Sequence, residues 1–315
     1  MTESLPSRQQ RVAEILAQAG AAAEAGEWVS AARAWIEAAK LGNREGAEQV
    51  SRVATPQIKL AADAGDIGAQ ALLAGILLDY YDASALPMAV EYAQRAADAG
   101  SAEALRTLGF MADEGLGMDQ DAQRAAEAWR KASDGGDGYA AFNLAGLHRK
   151  GTVKLGSEGE CDELLALAAE RGVVVAGAVL GDRLSALDRD EEALRWYIWA
   201  AERGNVGSMF VAGCWYRDGF GTLRDPVQAL RWYFTMFQHG NADGIHEAHK
   251  LAAMGMSEEQ ILEAGRLAGD EVFGRSLVET RRRTDSPDCF APPGNTAGNH
   301  DFPHGPRSTR RTTRA

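Results

Sequence analysis

Three histidines have the spacing in this sequence that comes nearest to a metal-binding motif. His246 and His249 lie about one helical turn apart and His239 precedes them, and a pair of histidines on one helix face can bind zinc. The segment 246–249 is one residue shorter than the zinc-protease motif, however, and no obvious fourth ligand lies nearby. We interpret these histidines as solvated side chains, and the sequence predicts no metal ion and no other cofactor.

Two glycine-rich segments could form phosphate-binding loops, because glycine lets the backbone approach a phosphate group closely. The segments are Gly115-Leu116-Gly117 and Gly219-Phe220-Gly221. A dinucleotide-binding fingerprint needs a preceding strand and a third glycine three residues later, whereas position 120 is glutamine and position 224 is arginine. Both segments are therefore interpreted as turns between helices.

A nucleophilic serine of the Ser-x-x-Lys type is absent, because no lysine has a serine three residues before it. The Ser-Asp-Asn and Lys-Thr-Gly motifs that accompany it in such hydrolases are missing too. The sequence is therefore predicted not to be that of an enzyme. An enzyme with an unrecognised site in a groove, for example a hydrolase, remains an alternative.

Composition and charge narrow the class of protein that carries these residues. An aromatic content of only 7%, together with 35 glycines, disfavours a β-sandwich or barrel. The net charge is −12. Residues 281–315 contain seven arginines and only three aspartates, so residues 1–280, the body of the protein, are strongly acidic. An acidic body repels nucleic acid and anionic membranes. Tethering to either through the arginine-rich tail is a second alternative.

The sequence also lacks the usual signals for export or membrane insertion. No apolar run approaches the roughly 20 residues of a membrane span, and the polar first residues do not resemble a signal peptide. The three cysteines form no Cys-x-x-Cys motif, which disfavours a disulfide framework and a zinc knuckle. We therefore expect a cytoplasmic protein.

A repeat of about 36 residues sets the positions of most small and aromatic side chains. Its marker is a glycine that recurs at intervals of 23, 35, 36, 36, 32 and 36 residues. The seven glycines are Gly42, Gly65, Gly100, Gly136, Gly172, Gly204 and Gly240. Small residues four and nine positions after the glycine, and leucine eight after it, share one face of a predicted helix A. The glycine itself is predicted to end the preceding helix B with a left-handed cap.

Helix B carries the aromatic residues, seven or eight positions before five of the seven glycines. Trp129 and the pairs Trp196-Tyr197 and Trp232-Tyr233 are examples. Such a series could stack nucleic-acid bases, but recurrence at a fixed repeat position favours a place in the core. Eleven positions before the glycine, Cys161 takes the place of alanine and is interpreted as one more small packing residue.

This pattern resembles the Sel1-like repeat, a relative of the tetratricopeptide repeat. The clearest copy runs from Ala212 to Gly240, and the resemblance covers about residues 60–245, with a divergent helical pair at 12–42. Leu164-Leu165 and Met236-Phe237 depart from the pattern, so irregular packing is expected there. The resemblance implies an all-α protein, a right-handed α-solenoid of helix-turn-helix repeats, and a role in assembly or signalling.

The predicted organisation is a solenoid followed by a tail. Residues 1–283 are expected to comprise divergent N-terminal helices (12–59), regular repeats (about 60–245) and capping helices (246–283). A capping box at Ser257–Gln260 is predicted to open one capping helix. Residues 284–315 contain five of the nine prolines and the arginine-rich end, and are expected to be disordered.

The predicted partner-binding surface is the face of each helix A opposite its packing positions, because the A helices of such a solenoid line its concave side. The residues on that face are Asp79, Phe110, Asn143, Lys150, Arg183, Trp215 and Asp218. Aromatic, charged and amide side chains together suit the binding of a peptide. Trp215 is expected to be exposed on the groove and to anchor a partner.

The predicted function is therefore that of a non-catalytic scaffold or adaptor. It would bind an unidentified protein or peptide on the concave helical surface, without a cofactor. The acidic solenoid is not expected to bind nucleic acid or membranes. The chain is expected to be a monomer or to self-associate weakly.

Overall fold

The computed structural model describes residues 8–284, which form a series of helices with no strand in that range. The first helices are α1 (Arg8–Glu24), α2 (Trp28–Lys40), α3 (Arg44–Gln49), α4 (Thr55–Asp63), α5 (Ile67–Tyr80) and α6 (Leu86–Asp98). The middle helices are α7 (Ala102–Glu114), α8 (Ala122–Asp134), α9 (Gly138–Arg149), α10 (Glu158–Glu170), α11 (Val174–Ser185) and α12 (Asp190–Glu202). The last are α13 (Val206–Asp218), α14 (Pro226–Gln238), α15 (Asp243–Ala253), α16 (Glu258–Leu267) and α17 (Glu271–Thr284).

The helices pack in chain order, as expected for a repeat solenoid. From α5 to α14, each odd-numbered helix is a helix A and packs on the helix B that follows it and on the one before it. Such nearest-neighbour packing is the property that defines a solenoid. The all-α solenoid prediction is therefore confirmed. The tail predicted to be disordered lies, apart from its first residue, outside the described residues.

The seven marker glycines end the B helices as predicted. Each has a left-handed φ, between +80° and +95°, a conformation that costs other residues energy because of their Cβ. At Gly100, the backbone N–H of Ser101 donates to the carbonyl of Ala96 at 2.9 Å, and that of Gly100 to Ala97 at 2.9 Å. This pattern satisfies the last carbonyls of the helix.

A helix-capping position directly follows the glycine, and the sequence reasoning missed it. After six of the seven glycines the next side chain accepts a hydrogen bond from a backbone N–H in the first turn of the next helix. These residues are Asn43, Asp66, Ser101, Asp137, Asn205 and Asn241. Such a cap satisfies one of the free N–H groups at a helix start. One glycine and one polar residue thus end one helix and begin the next.

In three repeats an aromatic ring of helix B lies over a glycine of the paired helix A, namely Trp129 over Gly109, Tyr197 over Gly181 and Tyr233 over Gly213. A Cβ added to Gly109 would lie 2.4 Å from Nε1 of Trp129, and one added to Gly213 would lie 2.5 Å from Cε1 of Tyr233. Both rings are buried. The prediction that these aromatic residues belong to the core is confirmed.

The two departures from the repeat pattern are accommodated in the core. Leu164 and Leu165 are buried where other repeats carry an aromatic ring, and Met236 is buried in the last regular repeat. Cys161 has no exposed surface and takes the expected small-residue position in the same cluster.

The second repeat unit has no turn between helices A and B. Helix α3 continues through a π-helical segment, Val50–Ala54, directly into α4. The hydroxyl of Thr55 donates to the carbonyl of Val50 at 2.8 Å and satisfies a backbone group in the π segment. A continuous helix needs fewer residues than two helices joined by a turn. This explains why the marker glycines Gly42 and Gly65 are only 23 residues apart. The predicted boundary at residue 59 therefore falls inside α4.

Loop length differs between the later repeats, and so do the contacts that the loops make. In the long loop before α14, a Cβ on Gly221 would lie 2.4 Å from the carbonyl oxygen of Asp190, at the start of α12. The turn between α11 and α12 is only four residues long. There Arg189 approaches Asp162 of α10, with 3.8 Å between Nη1 and Oδ2. The long loop thus contacts the preceding helix B through its backbone, and the short turn through charged side chains.

The C-terminal helices cover the last repeat. The capping box at α16 is confirmed, with Ser257 and Gln260 exchanging hydrogen bonds, and α16 begins at Glu258. Phe273 of α17 packs against Phe234 with 4.6 Å between ring centroids. Its neighbour Val272 points to solvent and is 73% exposed. The predicted boundary at 245 falls inside α15.

Candidate partner-binding groove

The N-terminal hollow has a volume of about 550 Å³ and lies between α2, α5 and α7. It brings together Asp79, Phe110 and Asn143, which the sequence placed on one surface. Helix α2 forms the opposite wall. There Arg33 and Glu103 of α7 form an ion pair with 2.6 Å between Nη2 and Oε2. This ion pair joins the first helical hairpin to a repeat 70 residues later.

Asp79 is the carboxylate of the N-terminal hollow that lacks a direct partner. Within residues 8–284 it has no hydrogen bond or salt bridge. Its side chain is accessible to solvent, but the surrounding walls remove part of its hydration and raise its pKa, while Lys40 and Arg106 oppose that shift. The hollow therefore contains a carboxylate that would gain from a hydrogen-bond donor or a cation of a ligand.

Phe110 separates the N-terminal hollow from the next one along the groove. Its neighbour Gly109 faces the core and accommodates the ring of Trp129, so Phe110 faces outward. The Phe110 side chain is 41% exposed. The core contact of Gly109 thus fixes the orientation of an aromatic side chain toward a possible ligand.

The central hollow, of about 490 Å³, contains Phe110, Asn143 and Lys150. Its other lining residues are Asp113, Glu114, Trp129, Phe142, Gly146, Leu147 and Arg149. Because Phe110 and Asn143 line both hollows, the two adjoin. Four of the seven predicted residues, Asp79, Phe110, Asn143 and Lys150, therefore lie along one surface.

The basic hollow is the third hollow, with a volume of about 540 Å³, and it shares Arg149 with the central hollow. It contains Arg183, whose Nε donates to Oδ1 of Asp162 at 2.7 Å. Arg183 thus lines this hollow, and its guanidinium is already hydrogen-bonded to an acidic residue. We call the three adjoining hollows the groove.

The placement of Trp215 differs from the prediction. Trp215 is partly buried, packs edge-on against Tyr197 with 5.2 Å between ring centroids, and lines none of the three hollows. The expectation of an exposed Trp215 anchor on the groove is wrong, because the ring of Tyr197 from the preceding repeat occupies one side of the indole.

Asp218 also lies away from the three hollows. Its Oδ2 is 2.7 Å from Nη2 of Arg217, and the pKa of its carboxyl is lowered by that hydrogen-bonded guanidinium. The carboxylate is therefore neutralised by its neighbour in sequence. Its helix, α13, contributes no residue to these three hollows.

Several groove residues escaped the sequence reasoning. Arg33 and Lys40 belong to α2, a helix B outside the regular register, and Lys154 belongs to the loop after α9. Arg149 and Phe142 are neighbours in sequence of predicted residues. The short first interval between marker glycines was the signal that could have drawn attention to α2.

The other chemical motifs do not form sites in the described residues. Residues 8–284 contain no group of three or more His, Cys, Asp or Glu side chains that could hold a metal ion. Gly115 and Gly219 end α7 and α13 in the left-handed conformation, so both glycine-rich segments are turns as predicted. No helix in the same range is long and apolar enough to cross a membrane.

The fold and the groove define a class, the helix-turn-helix repeat solenoid with a surface along its A helices. A solved structure of a Sel1 repeat protein from Oxalobacter formigenes matches it with a TM-score of 0.54 and 21% identity, over 81% of this chain and 98% of that protein. The chain thus has the fold of a Sel1-like repeat protein.

Two further solved structures are similar at TM-scores below 0.5. One is a protective antigen of uropathogenic Escherichia coli (0.40, 20% identity, over 93% of this chain and 75% of that one). The other is a Sel1 repeat protein from Klebsiella pneumoniae (0.38, 20% identity, over 63% and 99%). No protein-family model and no curated protein sequence matches the chain.

Proposed function

We propose that this chain is a non-catalytic interaction scaffold that binds a peptide segment of another protein in the groove. The observation that carries the proposal is the continuity of the three hollows. Phe110 and Asn143 join the first to the second, and Arg149 joins the second to the third. Such a trough suits an extended segment better than a compact metabolite, because it is open and longer than one side chain.

The chemistry of the groove fits peptide binding. Phe110 is partly exposed. If an apolar side chain of the partner covers it, the burial of that apolar surface contributes favourable binding free energy. The amide of Asn143 offers both a donor and an acceptor, which matches the alternating polar groups of a peptide backbone. The helices are rigid, so the scaffold spends little conformational entropy when it binds.

We also propose that the scaffold acts in the cytoplasm as a monomer or a weakly associating protein. Cys214 is a free thiol, which fits a compartment in which thiols stay reduced.

A matched pair of variants tests the proposed function. Phe110 and Phe210 both belong to A helices and are 41% and 40% exposed, but Phe210 lines none of the three hollows. Partners are captured from lysate with the wild-type chain, identified by mass spectrometry and then measured against both variants. Phe110→Ala is expected to weaken binding and Phe210→Ala to leave it unchanged. Equal binding by all three proteins would rule out the groove.

A further inference from the structure

The basic hollow has an unusual charge for this protein. The chain as a whole carries 45 acidic and 33 basic residues. Among the side chains that the structure describes, the Asp, Glu, Lys and Arg residues that line this hollow are all basic, namely Arg149, Lys154 and Arg183. Lys150 lies beside it in the central hollow, which also contains Asp113 and Glu114. The basic hollow is thus locally cationic within an acidic protein.

Three of these cations lack a protein partner. Within residues 8–284, Arg149, Lys150 and Lys154 form no salt bridge, whereas Arg183 is held by Asp162 at 2.7 Å. Three unpaired cations within six residues of sequence repel one another. An anionic ligand would remove that repulsion.

Helix electrostatics account for only part of this cluster. Arg149 and Lys150 lie at the C-terminal end of α9, where the helix dipole favours positive charge. That effect acts only within the last turn, and Lys154 lies four residues beyond it, in the loop before α10. The helix end therefore does not explain why Lys154 lines the same hollow as Arg149.

We propose that the partner segment is acidic, with Asp or Glu side chains bound by Arg149, Lys150 and Lys154 while an apolar side chain packs against Phe110. This inference rests on the proposed function and names the chemistry of the partner. The cations are distributed over two adjoining hollows rather than directed at one point. A row of carboxylates matches that distribution, whereas a single phosphate group needs converging donors.

Labelled synthetic peptides test the proposal by fluorescence anisotropy with the full chain. Each peptide carries one Phe, a Gly-Ser spacer of varied length and a run of Asp and Glu. Matched peptides replace the run with Asn and Gln, with Lys and Arg, or with a single phosphoserine. The best acidic peptide is expected to bind about tenfold more tightly than its Asn/Gln counterpart, and added salt is expected to reduce that difference.

Charge-reversed variants locate the effect on the protein. Arg149→Glu/Lys154→Glu is expected to weaken the acidic peptide by about tenfold. The matched control, Arg124→Glu/Lys131→Glu, changes the net charge equally at two exposed positions of α8 that line none of the hollows. It is expected to change the affinity less than about twofold, because screening limits distant surface charges.

Each contrary result overturns the inference. The acidic-partner proposal is wrong if the acidic peptides do not bind, if the Asn/Gln, basic or phosphoserine peptide binds as well or better, or if both double variants weaken binding equally. The proposed function has a separate test. It is wrong if Phe110→Ala captures the partner as well as the wild-type chain does. A captured partner that needs Phe110 but tolerates Arg149→Glu/Lys154→Glu would preserve the function and refute the acidic chemistry.

Discussion

Replacing Gly109 with alanine is expected to destabilise the protein, although alanine is the better helix former. The new Cβ would lie 2.4 Å from Nε1, 2.5 Å from Cδ1 and 2.9 Å from Cε2 of the Trp129 ring. Because the ring is buried and its Nε1 donates to the carbonyl of Arg106 at 3.0 Å, it cannot move aside without losing contacts and a hydrogen bond.

The magnitude follows from three opposing contributions. Overpacking a core costs about 1–3 kcal/mol, and a weakened hydrogen bond costs about 1 kcal/mol. Replacing glycine with alanine inside a helix gains about 1 kcal/mol. We therefore expect Gly109→Ala to lower the free energy of unfolding by about 2 kcal/mol.

Urea denaturation followed by circular dichroism measures this change. Gly75→Ala is the matched control, because Gly75 also lies inside a helix A but has no atom within 4 Å of the added Cβ. It is expected to stabilise the protein by up to about 1 kcal/mol. If Gly109→Ala is as stable as Gly75→Ala, the contact between glycine and the aromatic ring does not determine the packing of the repeat.

Three further changes test the caps, the long loop and the groove. Asp225→Ala removes the acceptor of two backbone N–H groups at the start of α14, both at 3.0 Å, and should cost about 1 kcal/mol in thermal unfolding. Gly221→Ala places a Cβ against the carbonyl of Asp190 at a positive φ, and should cost about 2 kcal/mol in urea; a neutral result would refute the close approach. Asp79→Asn should raise the urea midpoint at neutral pH, because the raised pKa of Asp79 makes its ionised form less favourable in the folded state. This gain should disappear as the pH falls through the raised pKa to the ordinary value for aspartate; a gain that persists in acid would contradict the assigned cause.

Local repetition made much of the fold predictable. The glycine cap, the small residues of helix A and the aromatic residues of helix B depend on contacts within one repeat and recur at a fixed spacing. Gly109 and Trp129, for example, are only 20 residues apart. The register was therefore sufficient to place Phe110 and Asn143 on the groove.

Contacts between distant or irregular units were not predictable from that register. The ion pair of Arg33 with Glu103 joins α2 to α7, and the intervening α3 and α4 form one continuous helix that the repeat register does not show. The burial of Trp215 depends on Tyr197 in the preceding repeat, whose orientation a single helix face does not show. The seven predicted groove residues therefore include two that lie elsewhere and omit α2.

The short turn between α11 and α12 has a consequence for the cooperativity of unfolding. In a linear array, cooperative unfolding is interrupted at the interface that couples neighbouring units least strongly. At the start of α12, the long loop makes a steric contact through Gly221, which salt does not weaken. At α10, Asp162 is linked to Arg183 and Arg189 instead, and such pairs weaken as ionic strength rises. Hydrogen exchange should therefore show that added salt lowers the protection of amides in α10 and α11 slightly, while the apolar core that the two helices share keeps them packed.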